Sequence, residues 1–224
     1  TYSGEWYKDG QLFVEQTMRI SGLDGIPYDI QVDDEGYFYI IGGSGDDLLF
    51  KYAPNGTNVM NISIDFAGSE SVWAMALDEN NSMYIGGVNT NGIFVTKYNS
   101  SGNQLWNTTV GQSNYESYSV KDLVLDDSGN VYVTGSNDNT TKYHDFWTIS
   151  FDSNGNYRWN NTFGNQLNDA IAEGITYYDG YVYVVGYYYT GVEYDVVLIK
   201  YDASTGTQND IEYKDVQHTD YGYD

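Results

Sequence analysis

The chain has 224 residues and a formal net charge of −23, from nine Lys+Arg against 32 Asp+Glu. Such a field repels phosphate backbones and anionic headgroups, so neither nucleic acid nor membrane insertion is expected, and no apolar run approaches the roughly 20 residues of a spanning helix. With no cysteine and only His144 and His218 as imidazoles, disulfides, thiol nucleophiles and His-based zinc sites lack raw material.

Along the chain one pattern recurs. Residues 5–22, with Gly10 and Gly22 twelve apart, read as the last two strands of a module. A first full module, about 26–68, alternates at Ile30/Val32, turns at DDEG (33–36), and continues through GYFYIIGGS (36–44), LLFKY (48–52), a turn at Asn55-Gly56 and NVMNISIDF (58–66). The second, about 72–111, repeats this with Met75/Leu77, DENN (78–81), NSMYIGGV (81–88), IFVTKY (93–98) and NQLWNTTV (103–110). In the third, about 119–164, the pieces are Leu123/Leu125, DDSGN (126–130), NVYVTGS (130–136), FWTISF (146–151) and NYRWNNTF (156–163). The fourth, about 171–215, has a less regular opening at 171–176, then YDG (178–180), GYVYVVGY (180–187), VVLIKY (196–201) and TQNDIEY (207–213). Residues 216–224 resemble the start of one more module, since Tyr221 to Asp224 matches Tyr28-Asp29.

Tyr39, Tyr84, Tyr132 and Tyr183 mark the repeat at spacings of 45, 48 and 51 residues. Short runs of period-two alternation separated by Asp, Asn and Gly turns are antiparallel hairpins. Four strands of this length do not bury both faces of their own sheet, so the modules must stack face to face. The predicted fold is therefore all-β, a β-propeller of four-stranded antiparallel blades, four or five in number, with residues 1–224 as one domain; an extended stack of sheets is the alternative.

The segments VLDDSGNVYVTG (124–135) and FWTISFDSNGNYRWNNTFG (146–164) resemble the seven-bladed β-propeller repeat family of bacterial and archaeal secreted and cell-surface proteins. The resemblance spans Gly22 to Asp215 and is closest in the second and third modules. It implies a propeller fold and an extracellular location, and no reaction. Seven such blades need roughly 340 residues, more than this chain has.

Several residue sets invite chemistry. Asp46, Asp145 and Asp195 share one repeat position before the third strand, and Asp29, Asp122 and Glu173 are read as one position on the innermost strand. Both sets, and the turn pairs Asp33/Asp34, Asp78/Glu79 and Asp126/Asp127, offer the hard oxygen ligands that suit calcium; no other cofactor is expected. Tyr187, Tyr188 and Tyr189 are read as lying in the loop where the other modules carry Gly, Ser and Asn, and with Tyr194 they are expected to contact a glycan or a protein surface. Asn-x-Ser/Thr acceptors occur at Asn55, Asn61, Asn80, Asn99, Asn107, Asn139 and Asn160, about twice the chance expectation for this composition.

No nucleophile elbow, phosphate-binding loop or His-Glu-x-x-His motif is present. The expectation is a non-catalytic, glycosylated extracellular scaffold or interaction module, not an enzyme, able to form a homo-oligomer or surface filament by strand complementation. The alternative is a carbohydrate-binding propeller or a carboxylate-dependent glycoside hydrolase or lyase.

Overall fold

The computed structural model describes residues 6–8, 11–13, 26–43, 47–64, 70–111, 118–138, 143–164 and 167–214. All regular structure among them is strand, confirming the all-β expectation. Two short strands, β1 (Trp6–Lys8) and β2 (Gln11–Phe13), pair as a hairpin. Four antiparallel four-stranded blades follow. Blade 1 holds β3 (Ile26–Val32), β4 (Phe38–Gly43), β5 (Asp47–Tyr52) and β6 (Asn58–Ile64). Blade 2 holds β7 (Glu70–Leu77), β8 (Met83–Asn89), β9 (Gly92–Tyr98) and β10 (Gln104–Val110). Blade 3 holds β11 (Tyr118–Leu125), β12 (Val131–Asp138), β13 (His144–Phe151) and β14 (Tyr157–Phe163). Blade 4 holds β15 (Ala170–Tyr178), β16 (Tyr181–Tyr189), β17 (Tyr194–Asp202) and β18 (Gln208–Lys214).

The first strand of each blade is the inner one: β3 packs beside β7, β7 beside β11 and β11 beside β15. Among the described residues no such packing joins β15 back to β3. This is a four-bladed propeller arrangement, in which each blade covers the one before it. Period-two alternation gives every blade a leading face, toward the next blade, and a trailing face. The core is the set of seams between them. Tyr39, Ile41 and Leu49 of blade 1 meet Val72, Met75 and Phe94 of blade 2. Tyr84 and Val95 of blade 2 meet Leu123, Trp147 and Ile149 of blade 3, and Tyr132, Phe146 and Trp159 of blade 3 meet Ala172, Val184 and Ile199 of blade 4.

Each inner strand carries a bulge at the same place. Tyr28, Trp73, Lys121 and Glu173 are the extra residues, passed over where the register shifts. Opposite each bulge stands a glycine: Gly42, Gly87, Gly135 or Gly186. A Cβ there would collide with the backbone carbonyl of Ile26, Ser71, Ser119 or Ile171, which is why this position of the tyrosine strand stays bare.

Candidate functional site

The turn carboxylates are engaged by their own hairpins. Asp33 accepts the amides of Glu35 and Tyr37 and the Tyr39 hydroxyl at 3.0 Å. Asp126 likewise accepts the amides of Ser128 and Asn130 and the Tyr132 hydroxyl at 2.9 Å. Asp78 accepts the amides of Asn80 and Ser82, the Tyr84 hydroxyl at 3.3 Å and Lys97 at 3.2 Å. Burial alone pushes the Asp78 carboxyl up, but the amide bonds and Lys97 together outweigh it and hold the group below its usual range. Lys97 also donates to the Tyr84 hydroxyl. In blade 3, where Ser150 replaces that lysine, Arg158 reaches in from the outer strand to the Tyr132 hydroxyl at 3.0 Å. An Asp–Tyr–cation unit thus recurs, with Lys51 over the Tyr39 ring at 4.7 Å in blade 1, and its tyrosine is fully buried in each of blades 1 to 3.

Between the turns of blades 2 and 3 lies a cleft of about 410 Å³. Asp78, Lys97 and Asp126 line it, and so do Glu79 and Asp127, two exposed carboxylates contributed by neighbouring blades.

Asp29 and Asp122 do share a position on the inner strand, and each reaches across a seam. Asp29 accepts the Met75 amide at 2.8 Å, and Asp122 accepts the Ile175 amide at 2.9 Å. Burial raises the Asp122 carboxyl, and the nearby Asp29 charge adds to this against the amide bonds from Ile175 and Leu123. The blade 4 equivalent is Gly174, not Glu173. Glu173 is the bulge residue, one step out of register, and pairs instead with Lys121, the bulge residue of blade 3, at 3.4 Å. The other two bulge residues pair as rings, Tyr28 and Trp73 having centroids 4.9 Å apart.

Of the third-strand aspartates, Asp46 lies outside the described residues. Asp145 is buried opposite Asn137, and Asp195 stands opposite Tyr188 with a buried Oδ1 that makes no hydrogen bond. Among the described residues no three His, Asp or Glu side chains are grouped so as to hold a metal.

The tyrosine run is not a loop. β16 extends through Tyr189, which pairs with Tyr194 across a short connection, so the side chains alternate. Tyr187, Tyr189 and Tyr194 form one cluster, with Tyr194 centroids 5.2 Å from Tyr187, edge to face, and 5.0 Å from Tyr189. Tyr194 is 53% exposed. With Asp195 and Val196, Tyr187 and Tyr194 line a depression of about 450 Å³. Burial raises the Tyr187 hydroxyl, helped by the charges of Glu173, Tyr194 and Asp169, so it remains a neutral donor at working pH. Tyr188 points the other way and packs on Phe163 in the seam with blade 3. Strand parity is the signal that separates Tyr188 from its neighbours.

Asn55, Asn61, Asn80 and Asn107 are exposed, Asn99 and Asn160 half-buried, and Asn139 lies outside the described residues. Asn99 spends its Oδ1 on the amides of Ser101 and Asn103 in its own turn.

No protein-family model matches the chain, and no curated protein matches its sequence. Solved structures do resemble its fold. One, a protein of unknown function from Bacteroides caccae, is 10% identical with a TM-score of 0.54, over 86% of this chain and 61% of that one. A second, a polysaccharide lyase described as an ulvan lyase and bound to a GlcA–Rha3S ligand, is 12% identical with a TM-score of 0.55, over 84% of this chain and 56% of that one. A third, extracellular domains 1–2 of Drosophila semaphorin 1b, is 10% identical with a TM-score of 0.50, over 84% of this chain and 41% of that one. This chain therefore spans about four- to six-tenths of the length of these structures. At these identities the likeness is one of fold.

The lyase corrects the sequence reading on one point. The repeat and the absence of familiar catalytic motifs pointed to a non-catalytic scaffold that is not an enzyme. A polysaccharide lyase resembles this fold over 84% of the chain, so the fold gives no ground for excluding catalysis. The lack of a linear motif does not decide the question either, since glycosidic cleavage in general can rest on two carboxylates.

Proposed function

We propose that this chain is an extracellular propeller domain acting on neutral polysaccharide, which it holds against Tyr187, Tyr189 and Tyr194 at the loop end of blade 4. The observation that carries the reading is the cluster itself: Tyr187 and Tyr189 both pack on the Tyr194 ring, and Tyr187 and Tyr194 line an open depression. Tyrosine supplies a flat apolar face for a sugar ring and a hydroxyl for its polar edge at low entropic cost. The net charge of −23 turns the reading away from uronate- and sulfate-bearing polymers such as the ligand of the ulvan lyase, and toward uncharged ones. The extracellular domains among the structural neighbours and the resemblance to a secreted repeat family support the location.

Affinity electrophoresis against neutral and anionic polysaccharides tests this. Retardation by at least one neutral polymer is expected, weakened about tenfold by Tyr194→Ala, the worth of ~1.4 kcal/mol of ring contact. Equal retardation of wild type and variant would remove the cluster from the function.

A second reading, hydrolysis of the same class of polymer, is favoured by the cleft between blades 2 and 3, where Glu79 and Asp127 supply two exposed carboxylates. A pair of carboxyl groups flanking the scissile bond is the core apparatus of glycoside hydrolysis. Release of reducing ends that disappears in Glu79→Gln and in Asp127→Asn is the expected result; release unchanged in both excludes the cleft.

A further inference from the structure

Three of the seven acceptor sequons occupy one structural position. In blade 1 Asn61 stands opposite Phe50, in blade 2 Asn107 opposite Thr96, and in blade 3 Asn160 opposite Ile149. Counted back from the end of the third strand, these are the same rung of the ladder in β6, β10 and β14. The hydroxyl residues Ser63, Thr109 and Thr162 follow two positions later in each case, opposite Leu48, Phe94 and Trp147. Blade 4 breaks the series, with Ile211, Glu212 and Tyr213 in the corresponding places.

We infer that Asn61, Asn107 and Asn160 carry N-linked glycans, forming a belt on the outermost strands of three successive blades. Each strand is the outer edge of its sheet, with no further strand beyond it among the described residues. Asn61 and Asn107 are exposed, and Asn160 is half-buried. The amide nitrogens are available for the linkage. Asn61 uses its Oδ1, not its Nδ2, to accept from Asn58 at 2.7 Å. Asn160 donates only to the exposed Tyr157 hydroxyl at 2.9 Å, a surface bond that water replaces.

Chemistry supplies a reason for the placement. An outer strand presents a row of unpaired N–H and C=O groups, the template for pairing with another chain, and proteins usually blunt it with charge, proline or cover. Strands β6, β10 and β14 contain one charged residue among them, Arg158, and no proline. β18, which lacks the sequon, carries Asp210, Glu212 and Lys214. A bulky hydrated glycan on the three weakly charged edges does what charge does on the fourth. The inference uses the extracellular location proposed above and none of the tyrosine site.

The test is to secrete the full chain from a eukaryotic host and map its glycopeptides. Occupancy at all three positions is expected, with Asn61→Gln, Asn107→Gln and Asn160→Gln each removing one glycan mass. Ser63→Ala, Thr109→Ala and Thr162→Ala should give the same losses while keeping each asparagine, which guards against a variant that merely misfolds. Bare peptides at these three sites in correctly folded, secreted protein overturn the inference, as does occupancy confined to the turn sequons Asn55, Asn80 and Asn99. The triple Gln variant should self-associate on size exclusion; if it is as monodisperse as the glycosylated chain, the edge-shielding role is overturned.

Discussion

Leu49 and Leu198 are the same residue at the same repeat position, on the leading faces of blades 1 and 4. Leu49 is 0% exposed because blade 2 covers it, whereas Leu198 is 38% exposed. Its neighbours follow suit. Val185 and Val196 are 40% and 39% exposed, while their counterparts Ile41 in blade 1 and Phe146 in blade 3 are fully buried. The same residue thus has different energetic weight according to whether another blade covers it. A repeat unit is half of an interface, and burial belongs to the pair.

The sharpest way to break the comparison is to truncate both leucines. Leu49→Ala should cost about 2–5 kcal/mol and Leu198→Ala less than ~1 kcal/mol, because only the first leaves a cavity. Urea unfolding of the two variants reads this directly; equal losses would mean that something in solution already covers blade 4.

Next in size is a pair of turn glycines. Gly155, at φ +82°, lies against the Trp106 ring of blade 2, with a would-be Cβ at 2.7 Å, whereas Gly180, at φ +80°, has nothing within 4 Å. Gly180→Ala should cost about 1–2 kcal/mol for the left-handed backbone alone. Gly155→Ala adds an overpacked seam, for about 2–4 kcal/mol in all. A thermal melt that ranks them the other way would undo the account of that seam.

Asp122→Ala comes third, at about 1–3 kcal/mol, since it leaves the Ile175 amide of blade 4 without its acceptor. Its carboxyl is raised in the fold. The stability linked to its proton is therefore fully present below the ordinary value and lost as pH rises through the folded one. The gap between wild type and variant should narrow across that window; a gap that widens with pH reverses the sign and the argument.

The smallest effect is at Asp78, whose lowered carboxyl works in the opposite sense. Its contribution is present above the ordinary carboxylate value and fades as pH falls through the folded one. Asp78→Asn should remove ~1 kcal/mol or less at neutral pH. Its unfolding midpoint should fall less steeply than that of wild type on acidification below pH ~4.

Much of the fold was legible because its markers are local. The tyrosine strands and the Asp and Asn turns each announce themselves within a few residues. What the sequence concealed is register. A bulge inserts one residue into the inner strand without any compositional mark, so Glu173 appeared to align with Asp122 while the structure puts Gly174 there. The tyrosine run misled for a related reason. Nothing in Tyr187-Tyr188-Tyr189 states that the strand continues through it, and only the pairing of Tyr189 with Tyr194 sorts the rings into an outward cluster and an inward one. The cleft between blades 2 and 3 was visible as acidic pairs in turns, but that Glu79 and Asp127 line the same space depends on how blades stack, which no single repeat encodes.

The carboxylates that cross the seams give the propeller a mechanical character. Asp29 and Asp47 tie blade 1 to the amides of Met75 and Val72, and Asp122 ties blade 3 to Ile175. At the seam between blades 2 and 3 the inner position is Ala74, and the cross-links sit toward the outer edge, from Trp106 to the Ser153 carbonyl and from Thr108 to that of Gly155. The seam between blades 3 and 4 combines both kinds, since Trp159 also donates to the Ala203 carbonyl and Asn161 to that of Gly206. Blades 3 and 4 are thus fastened at both the axis and the rim, so parting them breaks polar contacts at each end of the seam.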